Sequence, residues 1–111
     1  MSAGRLRHRV TIQRRIETRD PITGATSYGW ADVATLWGAV EPLSAREFIA
    51  AQAAHSQVSA RITIRFRDDI TAAMRVLHGA TAYDIEGVIP DARSGREWLT
   101  LPVSTGVRDG A

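Results

Sequence analysis

The chain has 111 residues, 44% hydrophobic and 23% charged, a usage that suits one globular core and excludes disorder, collagen-like repeats and coiled coils. It has no cysteine, which removes disulfides, thiolate metal sites and cysteine nucleophiles together and fits a reducing compartment. All 14 basic residues are arginine and the net charge of +2 is unevenly spread: residues 1–19 carry +5, 20–60 carry −3, 61–75 carry +2 and the remainder −2, which is not the uniformly cationic surface of a DNA-coating protein.

No apolar run approaches the ~18 to 20 residues that span a bilayer, and Met1-Ser2-Ala3-Gly4-Arg5 lacks the apolar stretch of a secretory signal. A soluble chain with no membrane partner is expected. Arg5 to Arg15 alternates, with Leu6, Val10 and Ile12 on one face and Arg5, Arg7, Arg9, Thr11, Gln13 and Arg15 on the other, the pattern of a half-buried strand. Asp20-Pro21-Ile22-Thr23-Gly24 reads as a turn, because proline fixes φ and glycine allows the positive φ of a reversing chain. A second strand from about Tyr28 to Val40 contains Trp30, Val33, Leu36 and Trp37 and is long enough to carry a bulge.

Ser44-Ala45-Arg46-Glu47 reads as a capping box, so a helix is expected to start there and run to about Ala54. Ala45, Phe48, Ile49 and Gln52 line one of its faces, and Arg46, Ala50 and Ala54 lie elsewhere. A helix this short is marginal alone, so Phe48 and Ile49 are expected to dock on the chain's own sheet or on a neighbouring subunit. Its alanines serve either close approach of a neighbour or helix propensity alone. Val58 to Arg67 alternates again, with Ile62, Ile64 and Phe66 inward and Arg61, Thr63, Arg65 and Arg67 outward. Arg75 to His78, Ala82 to Ile89 and Arg96 to Val103 supply three more strands, the last two as a hairpin, and the tail at about residues 105–111 is expected to fray. The predicted fold is mainly β: one domain over residues 1–111, a small antiparallel β-barrel or sandwich of about six strands with one short helix inserted at about residues 44–55.

Little of this carries catalytic chemistry. His8, His55 and His78 have no metal-ligand spacing; His8 is expected to end the buried face of its strand and His55 to close the helix. Asp68-Asp69 reads as an exposed turn rather than an acid-base pair. No GxxxxGK[ST], GxGxxG or GxSxG motif occurs. No cofactor, no metal and no enzymatic activity are expected. Trp30, Trp37 and Trp98 read as core or interface anchors. The arginine stripes suit phosphate and carboxylate alike, and the shortage of interleaved aromatics favours a solvated face or protein interface over direct contact with nucleic acid.

The order of features resembles the phage head-tail joining family. The matching blocks are Gly4-Arg5-Leu6-Arg7-His8-Arg9-Val10-Thr11-Ile12-Gln13-Arg14, Gly24, Trp30 and Trp37-Gly38-Ala39-Val40-Glu41-Pro42-Leu43-Ser44 with Glu47-Phe48 and Ala51-Gln52. Further on, Ile62-Thr63-Ile64-Arg65-Phe66-Arg67, Asp69-Ile70, Met74-Arg75-Val76 and Tyr83-Asp84-Ile85-Glu86-Gly87-Val88 also look like family blocks, including those of its head-closure or stopper proteins. The resemblance implies a virion protein of a phage or of a phage-like gene-transfer particle, assembled in the bacterial cytoplasm. It implies a ring of roughly six or twelve copies in the neck, with a portal or adaptor protein on one side, a tail terminator or tail proteins on the other, and double-stranded DNA passing through the lumen. In such proteins the segment between the second and third strands projects toward the channel, which makes Arg46, Glu47 and Gln52 the gate candidates here.

A head-to-tail ring needs two different complementary patches per subunit, and Arg5, Arg7, Arg9, Arg61, Arg65, Arg67, Phe48 and Ile49 are the interface candidates. Charge reversal of Arg65 and Arg67 together is expected to impair incorporation into particles. The alternative is a free nucleic-acid-binding β-barrel, which would bind as a monomer with a steep salt dependence.

Overall fold

Alternation in the first segment becomes a strand whose inward residues are fully covered: Val10 is 1% exposed and Ile12 0%. The computed structural model describes residues 6–105, so Arg5 and residues 106–111, most of the tail expected to fray, lie outside the described residues. The elements in chain order are β1 (His8–Arg19), β2 (Thr26–Pro42), α1 (Ala45–Ala53), β3 (Ala60–Arg65), β4 (Arg75–His78), β5 (Thr81–Ile85), β6 (Ile89–Pro90) and β7 (Trp98–Thr105).

β1 and β2 form one long antiparallel hairpin, from His8 opposite Gly38 to Arg19 opposite Thr26. Asp20 builds its turn, with Oδ1 accepting from the Ile22 amide at 2.8 Å and Gly24 supplying a φ of 75°. The expected bulge is present: Ile12 faces Ala34 but Gln13 faces Asp32, which leaves Val33 as the extra residue.

All pairings are antiparallel, in the order β3-β2-β1-β4-β5-β7-β6, and β3 also pairs with β7, so the ladder closes on itself. β6 and β5 share one edge of β7 and together make up the single strand expected over Ala82–Ile89. The interruption has a local cause. Glu86 donates its amide to the Pro102 carbonyl at 2.8 Å, and Pro102 has no N–H to return.

The interior is aliphatic, with Val10, Ile12, Ile62, Ile64, Val76, Ile85, Leu99, Leu101 and Val103 at its centre and Phe66, Met74 and Tyr83 packed around them. Gly38 lets β1, β2 and β3 approach closely; a Cβ there would sit 3.2 Å from the Thr63 carbonyl and 3.3 Å from both Val10 and Ile64 methyls.

Several expectations need correction. Thr63, expected outward with Arg61 and Arg65, is buried at 4% exposed while Arg61 is half-buried and Arg65 exposed. His8 does not close the buried face: it is exposed and its ring meets that of His78 edge-on at 4.7 Å. No tryptophan is a core residue. Trp30 and Trp98 are half-buried and Trp37 is 50% exposed.

Candidate assembly interface

The capping box closes on both sides. Ser44 Oγ accepts from the Glu47 amide at 3.2 Å and Glu47 Oε1 accepts from the Ser44 amide at 2.9 Å. The other Glu47 oxygen, Oε2, takes Nη1 of Arg61 on β3, and Arg61 Nε lies 4.0 Å from Glu41. The Ser44 amide first, and Arg61 second, hold the Glu47 carboxyl down to about 2. At the other end the Ser56 amide donates to Ala51 and the His55 amide to Gln52, the Schellman arrangement, with His55 in the left-handed region at φ 57°.

Between these caps α1 has no buried residue, and Phe48 and Ile49 are 48% and 68% exposed. The helix therefore does not dock on its own sheet. Of the gate candidates, Arg46 and Gln52 are exposed, while Glu47 is turned toward β3. Gln52 shares the Phe48–Ile49 stripe and Arg46 lies off it.

The arginines fall into two kinds. Arg61 is neutralised by Glu47 and Glu41, and Arg67 is held bidentately by Asp69 at 3.0 and 2.8 Å across the Asp68–Asp69 turn. Four others lie on aromatic rings: Arg9 over Trp37 at 5.0 Å, Arg15 over Tyr28 at 4.4 Å, Arg65 over Trp98 at 4.8 Å and Arg75 over Trp30 at 4.2 Å. Register produces two of these contacts, since Arg9 is opposite Trp37 and Arg65 opposite Trp98. Arg75 also donates to Gln13 Oε1 at 2.9 Å, and Gln13 donates to Asp32 at 2.8 Å, a polar chain across β4, β1 and β2. Arg7 is exposed just before β1.

An open groove of about 560 Å³ is lined by Leu6, Arg9, Thr35, Leu36, Trp37 and Arg65. It brings Arg9 and Arg65 together and leaves Arg61 and Arg67 apart as internal ion pairs. Sequence reasoning missed Trp37 and Trp98 as stacking partners, because cross-strand register is not a local signal. It also missed Asp91, whose carboxylate accepts from the amides of Ser94, Glu97 and Trp98 at 3.0, 2.9 and 3.2 Å and organises the approach to β7. Among the described residues no group of three or more His, Asp or Glu side chains is arranged to hold a metal ion, and no helix is long and apolar enough to cross a membrane.

A family model described as phage head completion protein matches residues 1–106. The solution structure of protein SF1141 from Shigella flexneri 2a is similar throughout, with 34% identity, a TM-score of 0.76 and coverage of 97% of this chain and 99% of that one. No curated protein matches the chain.

Proposed function

The chain belongs to the phage head completion protein family, a structural family of the phage particle, and from that premise we propose that it is the neck component that joins head to tail as a ring and closes the DNA channel after packaging. The observation that carries this reading is α1: a nine-residue helix, well capped, with no residue buried in its own chain. A helix of that length gains most of its stability from packing, so a surface outside the chain must cover Phe48 and Ile49. The sheet encloses only side chains, so any DNA channel has to be built between several copies. In a head-to-tail ring the Phe48–Ile49 stripe packs on the next copy and carries Gln52 to the edge of that contact, leaving Arg46, which lies off the stripe, for the lumen. Glu47 fixes the segment to β3 through Arg61. The partners are a portal or adaptor protein, tail proteins and the double-stranded DNA in transit.

Electron microscopy of particles from a strain lacking the gene tests the proposal. Separate heads and finished tails are expected, and heads that have also lost their DNA would establish closure in addition to joining. Normal tailed particles would overturn the neck assignment.

A further inference from the structure

The outer face of the sheet carries a row that no ion pair among the described residues explains. Arg9 on β1 is opposite Trp37 on β2, and Arg65 on β3 is opposite Trp98 on β7. The β2–β3 ladder pairs Gly38 with Ile64, which puts Trp37 beside Arg65 one step further on. Val10, Ile64 and Leu99, the sequence neighbours of Arg9, Arg65 and Trp98, are core residues, so the row must point outward. Cation and aromatic ring thus alternate across four adjacent strands. Among the described residues neither Arg9 nor Arg65 is ion-paired, and both are exposed.

Resting on the joining role proposed above, the geometry points to this groove as the docking site for an extended acidic segment of an adjoining protein, with carboxylates on Arg9 and Arg65 and one apolar side chain between them on Trp37. A guanidinium stacked on an indole keeps its in-plane N–H groups free for bidentate contact with a carboxylate. Stacking also fixes the side chain beforehand, so less entropy is lost on binding. Leu6 also lines the groove beside the exposed Trp37 ring, apolar surface that an apolar side chain uses and a sugar-phosphate backbone does not. Arg9 and Arg65 are two strand spacings apart, about 10 Å. In an extended chain acidic residues four apart lie about 13 Å apart on one side with the residue between them on that same side, a span their side chains close. A duplex would instead call for a longer basic track, and Arg61 and Arg67 are already neutralised.

The test is an NMR titration of the full chain, reading the Trp37 and Trp98 indole N–H signals. The probe is a capped peptide with glutamate, leucine and glutamate at alternate positions; its glutamine analogue and a DNA duplex are run alongside. The glutamate peptide is expected to shift both indoles and the glutamine analogue to leave them. R9E/R65E should weaken binding at least tenfold, and R9Q/R65Q, which adds no repulsion, should reproduce most of the loss if the charge reversal unfolds the chain. W37A should weaken binding while leaving its salt dependence. No shift at millimolar glutamate peptide, or shifts produced by the duplex at lower concentration, would overturn the assignment, and neither result touches the outcome in the deletion strain.

Discussion

Asp91 organises the segment that leads into β7, where its two carboxylate oxygens together accept three backbone amides from Ser94, Glu97 and Trp98. Those amides, Glu97 first, hold its carboxyl well below the usual range. The stabilisation is therefore complete above the unfolded pKa of about 3.9 and is lost as pH falls through the lower folded value. Asp91→Ala should lower the melting temperature more than Asp91→Asn, which keeps one acceptor oxygen, and calorimetry at neutral pH ranks the two. Gly38 makes the opposite demand, for empty space. Its missing Cβ would press on the Thr63 carbonyl at 3.2 Å, and backbone yields less readily than a side chain. Gly38→Ala should destabilise by about 1–2 kcal/mol in urea unfolding. Neither role was legible beforehand: Asp91-Ala92-Arg93-Ser94-Gly95 reads as a turn, and which amides converge on it depends on where β7 is anchored.

At the scale of the element, α1 was the most legible part of the chain, because a capping box is written in four consecutive residues and needs no tertiary contact. Glu47 makes the helix acid-sensitive. Its folded value of about 2 lies below its ordinary 4.5, so its contribution is full above about 4.5 and is lost as pH falls toward 2. Far-UV circular dichroism should show helix loss in that window, and Glu47→Gln, which keeps an acceptor for the Ser44 amide but does not titrate, should abolish that pH dependence. The C-terminal cap runs the other way. His55 occupies a left-handed position that glycine takes without a Cβ penalty, so His55→Gly should stabilise α1 by about 1 kcal/mol, read as slower amide exchange at Ser56. The strands were legible from alternation, but their arginines were not. Six are interface candidates by sequence, and the structure divides four of them into ion pairs, Arg61 and Arg67, and aromatic stacks, Arg9 and Arg65, because register, invisible in one segment, decides what lies opposite.

For the whole molecule, a closed sheet with an aliphatic core and a helix outside it separates stability from assembly. Core truncation acts on the first: Ile62 is 0% exposed at the β2–β3–β7 junction, and Ile62→Ala should cost about 2–5 kcal/mol in chemical unfolding. The α1 stripe acts on the second. Phe48 and Ile49 are exposed and no residue of α1 is buried, so replacing both with aspartate removes no intrachain core contact. Phe48→Asp/Ile49→Asp should leave the melting temperature of the isolated chain nearly unchanged, since surface substitutions away from packed features stay within about 0.5 kcal/mol. Aspartates placed in a covered apolar contact would be desolvated without partners, which opposes association strongly. The doubly substituted chain should therefore fold yet fail to restore tailed particles in the deletion strain, with the native chain supplied in parallel as the control. Restoration at the native level would mean that α1 is not covered by a neighbour. A large fall in melting temperature would mean that the stripe packs on its own chain.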